Sequence, residues 1–168
     1  RRWESVAGPA ARAGLRTVQS RTGLVVSSSG GLGRILGAAY RVGAGARLGR
    51  GDQWQPWIAL EDAAAGLLWA IEHDDVHGPV NLTAPEPARN RDLHRLLSRA
   101  GGPPSVAVVP QLLLDRAGRA GAAGGTGSIG GMLAELLGAS QRAVPQALLA
   151  SGFRFTAPDA ASIWALGA

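Results

Sequence analysis

Residues 15–42, LRTVQSRTGLVVSSSGGLGRILGAAYRV, decide the fold because the pattern changes twice within one short stretch. Residues 15–26 mix β-branched and apolar side chains, which predicts a buried strand. Residues 27–33 are serine and glycine apart from Leu32, and this composition predicts a turn. Residues 32–42 carry apolar side chains at helical spacing. The stretch therefore predicts a strand, a turn and a helix, the repeating unit of an α/β layer.

The same alternation continues outward from this stretch. Further strands are predicted at 57–60, 79–82 and 106–109, and helices at 61–72 and 91–99. Alternating strands and helices favour parallel pairing, but these strands are too few for a complete doubly wound sheet. We therefore predict a partial Rossmann-like α/β fold in residues 1–110. A small, mainly helical segment in residues 111–168 follows it, with a glycine-rich loop at 118–131.

Two side chains are predicted to help these helices begin. Asn90 precedes the helix at 91–99 and is expected to cap it. Asp62 lies at the start of the helix at 61–72, where a carboxylate is favourable, and is also expected to act as a cap.

The composition of the chain excludes some kinds of site and makes others less favoured. The chain has 168 residues, 46% of them hydrophobic, and no cysteine, so disulfides and thiolate metal sites are excluded. No apolar run approaches the roughly 18 residues of a membrane span, so we expect a cytoplasmic protein without membrane contact. The net charge of +5 invites a nucleic-acid interpretation. The arginines are nevertheless dispersed, and those of residues 89–99 suit a solvated helix face, so nucleic-acid binding is the lesser alternative.

Two glycine-rich segments resemble phosphate-binding loops. Residues 125–130, GTGSIG, satisfy the G-x-G-x-x-G pattern, but no strand-like sequence precedes them, and we interpret them as a flexible loop. Residues 27–33 follow a strand and precede a helix, yet they lack the lysine of a Walker motif. They could present backbone N–H groups to an anion, although an ordinary strand-to-helix turn is the favoured interpretation.

Several motifs recur in an order typical of one family. They are residues 21–27 (RTGLVVS), 43–54 (GAGARLGRGDQW), 57–62 (WIALED), 78–85 (GPVNLTAP) and the closing segment 137–155. This order resembles the C-terminal half of NAD(P)-dependent epimerase/dehydratase-like proteins, in the extended short-chain dehydrogenase/reductase superfamily. The resemblance implies a Rossmann-like fold in which this half supplies the last strands, the substrate-facing lobe and a small helical closing domain.

The resemblance also implies chemistry that this sequence lacks. The family's glycine fingerprint and its Tyr-x-x-x-Lys pair are expected upstream of Arg1. The chain contains no lysine, and its single tyrosine, Tyr40, is followed four positions later by Ala44. We therefore expect a catalytically incomplete half that binds no cofactor alone, although NAD or NADP is implied for a full-length relative. The alternative is a stand-alone nucleotide- or sugar-binding module, or a protein-interaction module.

A candidate substrate site lies in the glycine-rich region after residue 43. Gln53, Trp54 and Trp57 combine aromatic faces with an amide, which suits a nucleotide-sugar-like ligand. The alternative is that both tryptophans only cover the edge of the core. Three further residues are predicted to bind the substrate. They lie in the predicted strand at 15–26 and the turn at 27–33, and they are Arg21, Gly23 and Ser29. We assign no catalytic, cofactor-binding or metal-binding residue.

The incomplete sheet has a consequence for assembly. An edge strand left without its neighbour recruits another strand or aggregates. We therefore expect either a homodimer or pairing with the missing N-terminal half.

Overall fold

The computed structural model describes residues 4–100, 103–114, 116 and 138–166. Most of the predicted glycine-rich loop, with the GTGSIG motif, lies outside these residues. The strands are β1 (Val18–Thr22), β2 (Leu24–Val26), β3 (Ala46–Leu48), β4 (Trp54–Gln55), β5 (Trp57–Ala59), β6 (Gly78–Leu82), β7 (Ala88–Arg89) and β8 (Ala107–Val109). After a 3₁₀ turn at Glu4–Ala7, the helices are α1 (Gly8–Arg12), α2 (Gly31–Arg41), α3 (Leu60–Glu72), α4 (Asn90–Arg99), α5 (Gln146–Ala150) and α6 (Ala160–Leu166).

Within the described residues, three of the four strand pairs are parallel. β1 pairs with β6, β2 with β5 and β3 with β8, whereas the short strands β4 and β7 are antiparallel. Helix α3 connects β5 to β6, and α2 packs on β2. This arrangement confirms the predicted α/β fold with few parallel strands.

The predicted single strand at 15–26 is wrong in one respect, because the chain forms two strands that separate at Gly23. The Gly23 N–H donates to the Leu82 carbonyl at 2.9 Å, and the Leu24 N–H donates to the Pro56 carbonyl at 2.7 Å. At Gly23 the chain thus changes partner from β6 to β5. A Cβ at this position would overlap the carbonyl oxygen of Pro56, so glycine permits the close approach.

The core consists of two apolar clusters that meet at β5. Trp57 belongs to one cluster, with Ile163 and Trp164 of α6. Ile58 belongs to the other, with Leu148 of α5. Because successive side chains of a strand point to opposite faces, β5 is buried on both sides, as is usual for a parallel sheet. The described helices after residue 138 therefore complete the same core, while the boundary placed at residue 110 stays a prediction.

Asp62 has a different role from the one predicted. Its carboxylate is buried and accepts hydrogen bonds from the backbone N–H groups of Thr156 at 2.8 Å and Ala157 at 2.9 Å. The N-cap of α3 is Ala59, without a side-chain cap. Asp62 therefore connects the C-terminal segment to the first turn of α3 by hydrogen bonds.

No helix among the described residues is long and apolar enough to cross a membrane.

Candidate functional site

The loop between β3 and β4 is shaped by two glycines in the left-handed region, Gly49 with φ of 54° and Gly51 with φ of 73°. The Gly51 N–H donates to the Leu48 carbonyl at 2.9 Å, and the Gly51 carbonyl accepts from the Arg91 N–H at 3.0 Å. A Cβ at Gly51 would lie 2.8 Å from the Cβ of Arg91. The loop therefore lies directly against the start of α4, which brings Asp52 beside the Arg91 side chain.

Asn90 forms hydrogen bonds with both ends of the same loop. Its Oδ1 accepts a hydrogen bond from the Leu48 N–H at 2.9 Å, and its own N–H donates to the Gln53 carbonyl at 3.0 Å. Asn90 is buried, and the N-cap of α4 is Arg89, without a side-chain cap. The predicted capping role of Asn90 is therefore wrong, because its amide joins the end of β3 to the loop instead.

Trp54 connects this loop to the C-terminal segment. Its N–H donates to Ser140 Oγ at 3.1 Å, and its carbonyl accepts from the Gln141 N–H at 3.0 Å. Two guanidinium carbons lie near its ring, that of Arg89 at 4.5 Å from the centroid and that of Arg142 at 5.4 Å. Cations at this range are attracted by the face of an indole ring. The ring thus holds two arginines that are distant in the sequence.

The electrostatics of this surface are dominated by arginine. The Asp52 carboxylate lies 2.5 Å from a nitrogen of Arg91, 3.3 Å from one of Arg50 and 3.9 Å from one of Arg89. The exposed Arg142 has no ion pair with any other residue that the structure describes. We call Asp52, Trp54, Arg89, Arg91 and Arg142 the Trp54 cluster. Asp92 lies 4.0 Å from Arg91. The two carboxylates still do not balance the guanidinium groups of Arg50, Arg89, Arg91 and Arg142, so the cluster can receive an anion such as a phosphate or carboxylate.

Gln53 and Trp54 are the predicted site residues that the structure places together at this cluster. The Gln53 side chain donates to the Leu48 carbonyl at 3.2 Å, so it supports the loop. Trp54 is half-buried, with the two arginines against its ring.

The prediction that Trp57 lies in the ligand-facing loop is wrong. Its side chain is only 3% exposed, because β5 directs it into the core, where it packs edge-on against Trp164. The alternative that this tryptophan covers the core describes it correctly.

The remaining predicted site residues are Arg21 in β1, Gly23 between β1 and β2, and Ser29 in the turn before α2. Arg21 forms a bidentate ion pair with Glu4, at 2.5 and 3.0 Å. Gly23 permits the close approach of the chain to the Pro56 carbonyl. The Ser29 hydroxyl hydrogen-bonds the Ser27 hydroxyl at 2.7 Å in the turn before α2. None of the three has a contact with the Trp54 cluster among these bonds, so their assignment to a substrate site stays a prediction.

Arg89 and Arg142 were missed because they follow Trp54 by 35 and 88 positions. The segment 140–145 was noted only for its family resemblance, and nothing in its local pattern places an arginine on a distant indole ring. The predicted solvated helix face holds for Arg95 and Arg99, which are exposed. Arg89 and Arg91 differ, because they approach Asp52.

Tyr40, the only tyrosine of the chain, is not placed for acid–base chemistry. Its hydroxyl is 2.9 Å from Nδ1 of His94, and its ring is 8% exposed. Burial raises the pKa of Tyr40 to about 12. Burial, followed by the nearby charge of Arg47, lowers the pKa of His94. Tyr40 is therefore a poor proton donor or base at neutral pH.

Alkaline titration should reveal this tyrosine directly. The phenolate absorbance of the native protein is expected to rise with a midpoint near pH 12, against about 10 in denaturant. Since the folded state holds the proton more tightly, Tyr40 stabilises the fold fully below pH 10, and this contribution is lost as the pH rises towards 12. The chain has no lysine or cysteine to titrate in the same range. A native midpoint near that of the denatured chain would contradict the buried position.

The comparisons with known proteins agree with this architecture. Residues 128–163 match a family described as a domain of unknown function, DUF1731. An epimerase family protein of Mycobacterium bovis is 38% identical over 153 residues, which cover 91% of this chain and 47% of that protein. One of Bacillus subtilis is 32% identical over 157 residues, 94% of this chain and 48% of that protein.

Comparison with solved structures also finds proteins described as epimerases. A human epimerase family protein crystallised with NADPH superposes with a TM-score of 0.70 at 27% identity, over 89% of this chain and 47% of that one. A nucleoside-diphosphate sugar epimerase of Corynebacterium glutamicum superposes with a TM-score of 0.69 at 30% identity, over 98% of this chain and 29% of that one.

The fold is that of the Rossmann-like epimerases. The chain is a relative of the epimerase family proteins, as the sequence motifs predict, and the matches are consistent with their C-terminal half. It spans about half the length of the curated relatives that it matches.

Proposed function

We propose that this chain is the substrate-binding half of an NAD(P)-dependent epimerase- or reductase-like protein of the cytoplasm, acting on a nucleotide-sugar-type substrate. The observation that carries the proposal is the Trp54 cluster. It combines an aromatic ring, several guanidinium groups and partial exposure at the surface of a Rossmann-like fold. In this proposal the cluster holds the diphosphate of the substrate.

The chemistry of arginine supports a phosphate-type ligand. A guanidinium group presents a planar set of donors that matches two phosphate oxygens at once, and it stacks on an aromatic face without losing those donors. Arg142 lies against the Trp54 ring and has no ion pair with another described residue. Arg89 is shared between the same ring and Asp52. A diphosphate would therefore meet arginines that are already oriented by the protein.

The proposal includes catalytic incompleteness. No lysine is present in these 168 residues, so a Tyr-x-x-x-Lys pair has to come from elsewhere. Tyr40 is buried against His94, and its raised pKa opposes a role as a base. Binding of NAD or NADP and the proton and hydride transfers are accordingly assigned to the half of the epimerase fold that this chain does not represent.

The binding of UDP to the chain tests the site. Arg142→Ala is expected to raise the dissociation constant about tenfold, because a charge-assisted hydrogen bond contributes about 1.5 kcal/mol at the lower end of its range, which suits an exposed side chain. Trp54→Leu is expected to weaken binding similarly by releasing both arginines. Isothermal titration calorimetry measures these changes, and a steep fall in affinity with salt should accompany them.

Arg99→Ala is the matched control, because Arg99 is also exposed but lies at the far end of α4. Its affinity for UDP should equal that of the unchanged chain. Equal losses in Arg99→Ala and Arg142→Ala would show that only net charge matters and would contradict a defined site.

A further inference from the structure

The carboxylate of Asp52 is approached by three arginines. One of its oxygens lies 3.3 Å from Arg50, and the other lies 3.9 Å from Arg89 and 2.5 Å from Arg91. The Asp52 side chain is 44% exposed, so a dissolved anion can reach the same guanidinium groups. A guanidinium that donates to a carboxylate uses the same donors that would bind a phosphate. Asp52 therefore lies where an anionic ligand of the Trp54 cluster would bind.

The loop that carries Asp52 is held by backbone bonds on both sides of it. The Arg91 N–H donates to the Gly51 carbonyl at 3.0 Å, and the Asn90 N–H donates to the Gln53 carbonyl at 3.0 Å. Ion pairs between exposed side chains, by contrast, contribute little to stability. Asp52 can therefore release its arginines while the loop keeps its place against α4.

The arginines do not depend on Asp52 for their orientation either. The guanidinium carbon of Arg89 lies 4.5 Å from the centroid of the Trp54 ring, whereas its ion pair with Asp52 is the longer kind, at 3.9 Å. Arg142 lies against the same ring and has no ion pair with Asp52 among the described contacts. The indole ring thus orients both arginines, and the carboxylate only occupies one of them.

A carboxylate fixed beside these arginines competes with every ligand that needs them. Because it belongs to the chain, its local concentration is high and does not fall on dilution. A ligand with one carboxylate would only replace one such group by another. A diphosphate carries more negative charge and more acceptor oxygens than Asp52, and it also meets the unpaired Arg142. Only a ligand of this stronger kind gains enough to take the arginines.

We infer that the Asp52 carboxylate is an internal competitor at the Trp54 cluster, which occupies Arg89 and Arg91 in the free chain and is displaced from them by a diphosphate. The inference rests on the proposed function, because it concerns the regulation of the same site. Asp52 thereby weakens the binding of every anion that uses these arginines, and weakly binding anions are kept out of the site.

Isothermal titration calorimetry with UDP and with pyrophosphate tests the inference. Asp52→Asn keeps the size of the side chain and one acceptor oxygen but removes the charge. It is expected to lower the dissociation constants of both ligands about tenfold, because like charges brought together at a binding site are costly. Asp52→Ser should also tighten binding, so that the result does not depend on one substitution.

Asp74→Asn is the matched control. It removes the same charge from an exposed carboxylate whose ion-pair partner is Arg16 and not an arginine of the Trp54 cluster. Salt screens exposed charges that are distant from a ligand, so both dissociation constants should change by less than about twofold.

The outcomes separate this inference from the proposed function. Binding of UDP that Asp52→Asn weakens or leaves unchanged would overturn the inference alone, and so would equal tightening by Asp74→Asn, since net charge would then be the cause. If Asp52→Asn tightens the binding of pyrophosphate, and UDP binds no tighter than pyrophosphate to any of the proteins, the inference stands and the nucleotide ligand of the proposed function is overturned. Absence of binding of both ligands to all of these proteins would overturn both.

Discussion

Replacing Asp62 with alanine is expected to lower the free energy of unfolding by about 3–5 kcal/mol, because each hydrogen bond to a charged group contributes about 1.5–3 kcal/mol. The substitution removes the acceptor of the Thr156 and Ala157 N–H groups and leaves that of the buried Ala157 without a partner. It also releases the C-terminal segment from the first turn of α3. Chemical denaturation monitored by circular dichroism measures the change.

Glu61→Ala is the control for this prediction. Glu61 is the exposed neighbour of Asp62 in the first turn of α3, so its loss removes a carboxylate from the same helix end without unpairing a buried group. We expect a change of about 0.5 kcal/mol or less. If the two substitutions destabilise the protein equally, the carboxylate acts through the helix dipole, as the sequence predicts, and not through the bonds to residues 156 and 157.

Replacing Gly23 with alanine is expected to destabilise the fold by about 3 kcal/mol, at the upper end of the usual cost of overpacking. The new methyl group would overlap the Pro56 carbonyl and approach the Thr83 side chain to 3.1 Å. Backbone of two strands has to separate to admit it, so the hydrogen bonds of Gly23 and Leu24 are expected to weaken together. Thermal unfolding should show a clearly lower midpoint.

Gly30→Ala provides the comparison. A Cβ at Gly30 would meet nothing within 4 Å, and its φ of 178° is open to any residue. Its stability should therefore remain close to that of the unchanged chain. A Gly23→Ala protein as stable as Gly30→Ala would mean that β1 and β2 are not held as closely to β5 as described.

The local elements could be predicted from the sequence because their signals are local. Residues 27–33 mark a turn by composition alone, and α2 and α3 follow from apolar residues at helical spacing. The division of the first strand at Gly23 could not be predicted in the same way. It depends on contact with Pro56 and Leu82, which the pattern of residues 15–26 does not contain.

The candidate site was predicted only in part for the same physical reason. Trp54 was found because a large aromatic residue in a glycine-rich loop is unusual. Whether a neighbouring tryptophan points to solvent or to the core depends on the register of β5, and this register buries Trp57 against α6. Arg142 reaches Trp54 only because the segment after residue 138 bonds to the backbone of β4. Such contacts are properties of the tertiary fold.

Parallel titration of the isolated chain with UDP and NADPH, monitored by isothermal titration calorimetry, tests the central claim most directly. The account predicts saturable binding of UDP that Trp54→Leu weakens by about tenfold, with binding of NADPH at least about tenfold weaker than that of UDP. This result would establish a substrate-binding half that depends on another half for its cofactor. Saturable binding of NADPH as tight as that of UDP, and unaffected by Trp54→Leu, would contradict it.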